Sequence, residues 1–241
     1  MGLNLTIDQG NSSVKLAIWD GSKLVSEETF KELTRQQLAK TVDRYRPSRA
    51  LCCSVTGNGQ RYSQWLNAMG VEASEVSLNM PLPLTFDYTT PSTLGADRIA
   101  AAAGAWSLFP GCNLLVVDMG TAVTYDFVNS DGHFTGGNIA PGIGMRLRSL
   151  HNYTARLPEI NGYGEIPLLG HDTATAMRSG AVRGVVAEIC YYKSQLPVDT
   201  RIVLTGGWAS HVCSFLPFDV TVDKCLVTKG LLRILLNDEI K

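Results

Sequence analysis

The chain has 241 residues, 45% of them hydrophobic and 18% charged, with a formal net charge of −1. That balance suits one large or two small packed domains and excludes a disordered chain. It gives no overall basic footprint for nucleic acid or an anionic membrane, so any phosphate chemistry has to be local.

No apolar run approaches the roughly 18–20 residues of a membrane span. The opening Met1-Gly2-Leu3-Asn4-Leu5-Thr6 lacks the basic-then-apolar order of a signal peptide, which points to the cytoplasm. Cys52, Cys53, Cys112, Cys190, Cys213 and Cys225 form no C-x-x-C pair and read as reduced, mostly buried thiols. His133, His151, His171 and His211 show no metal-ligand spacing, which argues against a structural zinc.

The first thirty residues predict three antiparallel strands, at Leu3–Ile7, Val14–Trp19 and Lys23–Val25, separated by the turn residues Asp8-Gln9-Gly10-Asn11 and Asp20-Gly21. A helix is expected at Thr34–Arg44, a strand at Ala50–Val55, a helix at Gln60–Met69 and a short strand near Val71–Val76. Three prolines make Asn79–Pro91 a loop, and Ser92-Thr93 is the expected cap of the alanine-rich helix Gly95–Phe109.

The second half repeats this order. Strands are predicted at Asn113–Val117 and Ala122–Phe127, then a turn at Asn129–Gly132 and a strand running into Gly136. Helices follow near Gly142–Tyr153 and Thr173–Lys193, then the strand Arg201–Thr205, the break Gly206-Gly207 and a last helix near Val227–Asn237. Leu5-Thr6-Ile7-Asp8-Gln9-Gly10 and Leu115-Val116-Val117-Asp118-Met119-Gly120 align at a constant offset of 110, each an apolar strand ending in Asp-x-Gly. The expected fold is therefore α/β and duplicated, with mixed sheets and helices on their faces, divided into 1–112 and 113–241.

Three elements invite chemistry. The turn Asp8-Gln9-Gly10-Asn11-Ser12-Ser13-Val14-Lys15 presents backbone N–H groups to one side, glycine lets a phosphate approach, Asp8 suits Mg²⁺ and Lys15 adds positive charge. An ordinary hairpin uses the same residues, but recurrence of the pattern at Asp118-Met119-Gly120-Thr121-Ala122 favours two turns gripping one phosphate chain. The strand Leu204-Thr205 enters Gly206-Gly207-Trp208-Ala209, where a glycine pair at a helix start permits close approach by an adenosine moiety. A simple strand-to-helix turn with a packed Trp208 explains the same residues.

The order of these elements resembles the phosphate 1, phosphate 2 and adenosine motifs of the sugar kinase, heat-shock chaperone and actin superfamily. That resemblance implies two ribonuclease H-like domains with ATP in the cleft. Tyr88-Thr89-Thr90-Pro91-Ser92-Thr93-Leu94-Gly95-Ala96-Asp97-Arg98 narrows the family. Physically, Asp97 suits the positive end of its helix and Arg98 suits a surface. The run Gly-Ala-Asp-Arg before an alanine-rich helix nonetheless is similar to the substrate motif of type III pantothenate kinases. Gly137-Asn138-Ile139-Ala140-Pro141-Gly142 and Gly170-His171-Asp172-Thr173 also stand where that family has comparable segments. Ser12 replaces a usual threonine and keeps the hydroxyl.

The resemblance, from residue 5 to about residue 207, implies the following roles. Asp8 through Lys15 hold the ATP phosphates with Mg²⁺, and Thr121 contacts the nucleotide. Asp118 binds a monovalent cation, potassium or ammonium. Tyr88, Gly95, Ala96, Asp97, Arg98 and Thr173 surround pantothenate, with Asp97 as general base. A homodimer is implied, with no nucleic-acid or membrane partner. Two other readings stay open: another small-molecule kinase, such as an acetate or sugar kinase, and a non-enzymatic, actin-like nucleotide-binding protein. The chain is short for actin-like insertions and lacks the cysteine-rich zinc motif of one large group of sugar kinases. The cluster Arg146, Arg148, His151 and Arg156 reads as a solvated face or a dimer contact.

Overall fold

The computed structural model describes residues 2–237; Met1 and residues 238–241, the outer ends of the two expected halves, lie outside them. In chain order the elements are β1 (Asn4–Gln9), β2 (Val14–Asp20), β3 (Lys23–Phe30), α1 (Arg35–Tyr45), β4 (Arg49–Ser54), α2 (Gly59–Asn67), β5 (Glu72–Glu75) and the two-residue strand β6 (Thr85–Phe86). A 3-10 turn at Pro91–Thr93 leads into α3 (Ala96–Leu108). Then come β7 (Leu114–Met119), β8 (Ala122–Val128), β9 (His133–Pro141), α4 (Ile143–Asn152), α5 (Thr173–Gln195), β10 (Arg201–Thr205), the four-residue α6 (Ala209–Val212), β11 (Thr221–Val222) and α7 (Leu226–Asn237).

These elements form two compact units. One comprises residues 2–111, Asn129–Thr135 and 225–237, the other Cys112–Val128 and Gly136–Lys224. Compactness thus groups the chain differently from the expected halves 1–112 and 113–241, because α7, the last helix of the sequence, packs within the first unit.

In the first unit the strand order is β3-β2-β1-β4-β5, with β1 antiparallel to β2 and parallel to β4, and β4 parallel to β5. Alternation decides its two faces. Leu5, Ile7, Leu16 and Ile18 bury against Leu38 and Val42 of α1 and Tyr62 and Leu66 of α2. Ala17 and Trp19 on the opposite face meet Leu232 of α7. The buried indole of Trp19 donates to Thr6 Oγ1 at 2.9 Å, so its polar edge is satisfied. Small residues let α3 and α7 touch backbone to backbone. A Cβ on Gly230 would lie 1.7 Å from the Ala100 carbonyl oxygen, and one on Gly104 would lie 2.3 Å from that of Leu226.

The second unit repeats the plan. Its order is β11-β10-β7-β8 with β9 beside β8; β7 is antiparallel to β8 and parallel to β10, and β10 is parallel to β11. Leu115, Val117, Val123 and Tyr125 bury against Val182, Val185 and Ile189 of α5. Two mixed sheets in which β2-β1-β4-β5 and β8-β7-β10-β11 share order and strand directions make this a duplicated α/β fold of ribonuclease H-like units. β1 and β7 keep the offset of 110 between Asn4–Gln9 and Leu114–Met119.

Four local expectations change. The proline-rich loop contains β6, which pairs in parallel with His133 and Phe134 at the start of β9. β9 itself runs on to Pro141 instead of stopping near Gly136. The residue that caps α3 is Gly95, with no side-chain cap; Thr93 Oγ1 instead bonds to Thr90 Oγ1 at 2.7 Å and to the Thr90 carbonyl at 2.8 Å. Of the six cysteines only Cys52 and Cys53 are buried, the other four being partly exposed; no disulfide joins any of them.

Candidate active site

The first turn is built by strand register. Asp8, the last residue but one of β1, stands opposite Lys15 of β2 and beside Cys53 of β4. The Gly10 N–H donates to the Ser13 carbonyl at 3.0 Å and closes the bend. Gln9 is pinned from β4, its Oε1 accepting the Ser54 hydroxyl at 2.8 Å and its carbonyl accepting the Val55 N–H at 3.0 Å. Asn11 and Ser12 at the tip are exposed, while Val14 returns to the core. Lys15 and the Cys53 thiol favour the ionised Asp8, the thiol donating to Oδ1 at 3.4 Å. Burial outweighs them and pushes the Asp8 carboxyl above its ordinary range, with the charge of Asp97 adding to the shift.

That electrostatic coupling brings Asp97 into the same neighbourhood of the first unit. Asp97 lies in the first turn of α3, where burial raises its pKa against the opposing backbone N–H groups of Arg98 and Asp97 itself. The Arg98 N–H donates to Asp97 Oδ1 at 2.9 Å. Gly95 makes room for this carboxylate, since a Cβ there would lie 2.4 Å from Oδ1. Ala96 is the first helical residue.

Arg98 is only 5% exposed, which excludes the surface reading. Its guanidinium carbon lies 5.7 Å from the ring centroids of both Tyr88 and Phe134, and Nη1 donates to the Tyr88 hydroxyl at 3.5 Å. Cation–π contact with two rings holds a buried cation beside the carboxylate. Phe134 and Cys53 are participants that sequence reasoning missed. Phe134 arrives through the β6–β9 pairing, which two residues between prolines did not announce. Cys53 faces Asp8 through a parallel register that only tertiary pairing sets.

In the second unit the Asp118 turn closes through the matching glycine but is one residue shorter, the Gly120 N–H donating to the Ala122 carbonyl at 2.9 Å. Asp118 sits between Thr124 of β8 and Thr205 of β10 in register. Gly206, at φ +87°, packs against it, because a Cβ there would lie 2.5 Å from Asp118 Oδ1 and 2.6 Å from the Met119 backbone. Thr121 is half-buried, and its carbonyl accepts the Gly142 N–H at 3.1 Å. Thr173 stands exposed at the start of α5, which Asp172 caps by accepting the Thr175 N–H at 2.7 Å.

The adenosine-like segment differs from expectation in detail. Gly206-Gly207 leads to a helix of only four residues, and the Trp208 N–H is taken by the Met119 carbonyl at 3.3 Å. Trp208 is neither fully buried nor open-faced: it stacks on Tyr163 with centroids 4.6 Å apart at 21°. Both rings line a cavity of about 700 Å³ in the second unit, with Leu147, Arg148, Glu159 and Arg178 around it.

Among the described residues, no three His, Cys, Asp or Glu side chains converge as a metal site. The donor set that exists is one carboxylate per turn. Burial raises the pKa of Asp8, with a smaller contribution from the charge of Asp97, a condition that a cation would relieve, and Mg²⁺ commonly takes one or two carboxylates with substrate phosphates completing its shell. No helix among the described residues is long and apolar enough to cross a membrane.

The family model of type III pantothenate kinase matches residues 4–195. The chain belongs to the type III pantothenate kinase family. A relative of that name from Azobacteroides pseudotrichonymphae genomovar. CFP2 is 39% identical over 234 residues, covering 96% of each chain. Another from Phocaeicola vulgatus is 39% identical over 242 residues, covering 99% of this chain and 100% of its own. Among solved structures, a conserved Campylobacter jejuni protein described as a candidate Baf family transcriptional activator is similar at a TM-score of 0.67, with 21% identity, 98% of this chain and 100% of that chain covered. At that identity the likeness speaks for the fold alone. The span matched to type III pantothenate kinases contains both aspartate turns, Asp97, Arg98 and Thr173; Gly206 lies beyond it.

Proposed function

We propose that this chain transfers the γ-phosphoryl group of ATP to the primary hydroxyl of pantothenate, giving 4′-phosphopantothenate and ADP, the first step of coenzyme A biosynthesis. Membership of the family supports the reaction; the coupled carboxylates Asp8 and Asp97 beside a buried Arg98 support its placement.

In this reading Asp97 accepts the hydroxyl proton as that oxygen attacks phosphorus, and the bond to ADP breaks. Asp97 is suited to the task because burial raises its affinity for a proton, as a general base requires. Arg98, with Tyr88, Gly95, Ala96 and Thr173, orients pantothenate, the guanidinium donating to its polar groups. The turn from Asp8 to Lys15 and the turn carrying Thr121 both bind the phosphate chain, and the cavity beside Trp208 takes the adenosine portion. Asp8 holds Mg²⁺, which neutralises phosphate charge when bound. Asp118 holds potassium or ammonium. The protein works as a cytoplasmic homodimer.

ADP release in the presence of ATP, Mg²⁺ and potassium tests the reaction class. Release that depends on pantothenate, and does not follow from acetate or hexoses, is the expected result. Nucleotide-driven polymers without turnover point instead to an actin-like protein. Asp118→Asn is expected to flatten the potassium dependence of turnover, measured by titrating potassium chloride against a sodium baseline; an unchanged titration removes Asp118 from the cation site.

A further inference from the structure

Gly142 opens α4 against the Asp118–Ala122 turn. Its N–H donates to the Thr121 carbonyl, and a Cβ on it would lie 2.4 Å from that oxygen and 2.5 Å from the Gly120 carbonyl oxygen. The backbone of the turn therefore rests on the first residue of the α4 segment. One residue earlier, the Pro141 carbonyl accepts Nε of Arg146 at 2.7 Å. The same guanidinium donates through Nη2 to both carboxylate oxygens of Glu188 on α5, at 2.7 and 2.6 Å. Glu188 also accepts the hydroxyl of Tyr125 on β8. Burial and the neighbouring Glu188 push the Tyr125 phenol up, which keeps it a donor. Gly184 leaves space for the guanidinium, since a Cβ there would lie 3.0 Å from Nη1. Arg146, expected among solvated charges, has a side chain only 19% exposed.

A planar guanidinium with one edge on a carbonyl and another group on a carboxylate fixes two elements at a defined angle, which a point-charge ammonium does not do. β8, α4 and α5 meet at this one group, and the carbonyl it holds is next to the glycine supporting the turn.

We propose that Arg146 and Glu188 are positioning residues that set the Gly120-Thr121 backbone for the nucleotide through Pro141 and Gly142. This rests on the reading that the turn binds ATP phosphates.

Glu188→Gln keeps shape and an acceptor for Tyr125 but removes the charge that orients Arg146; Arg146→Lys keeps charge but loses the fork. Both variants are expected to raise the KM for ATP about tenfold, with the KM for pantothenate unchanged. Hydrogen exchange at the Gly142 amide, read in the absence of nucleotide, is expected to speed up in both. Thr121→Val serves as a control on the turn itself. If it raises the ATP KM while the two clamp variants leave both the KM and Gly142 exchange as in the wild type, the positioning role is wrong. If Gly142 exchange accelerates in the clamp variants while the ATP KM stays native in them and in Thr121→Val alike, the clamp stands and the nucleotide reading falls. A lower melting temperature with native ATP KM and native exchange reduces the pair to a structural ion pair and overturns the proposal.

Discussion

Replacing Asp97 with asparagine is expected to lower kcat by about 10²–10⁴-fold, the usual cost of losing a general base, while the protein stays at least as resistant to heat at pH 7. The two halves of this expectation share one cause. Burial raises the Asp97 pKa, so the folded chain binds that proton more tightly than the unfolded chain does. The resulting stabilisation is complete below the unfolded pKa and is lost as pH rises through the raised folded value. Above that raised value the ionised Asp97 detracts from stability, and a neutral asparagine, whose Oδ1 can still accept the Arg98 N–H, relieves that. Catalysis needs the ionised form. Wild-type kcat/KM should thus fall as pH drops through the raised Asp97 pKa, on an acid limb above the ordinary aspartate range, and the variant should lose this limb. Steady-state kinetics and thermal melts across pH measure both; a variant with near-native kcat rejects Asp97 as the base.

The two adjacent glycines of the second unit should separate structure from binding. Gly206→Ala puts a Cβ at a left-handed φ of +87°, 2.5 Å from Asp118 Oδ1 and 2.6 Å from the Met119 backbone. Left-handed strain costs about 1–2 kcal/mol and forced overpacking about 1–3 kcal/mol more. The melting temperature should fall on the order of 5–10 °C, and activity should fall with it because Asp118 is displaced. At Gly207 a Cβ meets no protein atom within 4 Å, so Gly207→Ala should melt like the wild type. If adenosine approaches that backbone, Gly207→Ala raises the ATP KM without thermal penalty. Native ATP KM in Gly207→Ala removes the adenosine role from this segment, and a thermally neutral Gly206→Ala contradicts the packing of Asp118.

The parts of this fold visible in the sequence are those set by local patterning. Asp-x-Gly after an apolar strand appears twice at one offset because each copy makes the same strand-to-hairpin transition, and both form it. Helix α1 begins one residue after Thr34, whose hydroxyl and Gln37 make a capping box. Features that depend on distant partners were not legible. Thr85-Phe86 becomes a strand only because β9 lies beside it, and α7 joins the first unit because glycines on two distant helices allow close contact. Arg98 looked like a surface charge until two aromatic rings, one from β9, enclosed it. Arg146 likewise gained its meaning from Glu188, 42 residues away in sequence. The Asp97 and Asp118 assignments came from resemblance and that of Asp8 from its turn; burial raises the pKa of both Asp8 and Asp97, and geometry adds the Gly206 contact at Asp118.

The most direct test is mass-spectrometric identification of the product formed from ATP and pantothenate by the wild type and by Asp97→Asn at matched concentrations. Pantothenate carrying one added phosphoryl group, formed by the wild type and at about one-hundredth of that rate or less by the variant, is the predicted result. Equal product from both proteins, or ADP released with pantothenate unmodified, would contradict an Asp97-assisted phosphoryl transfer to that alcohol.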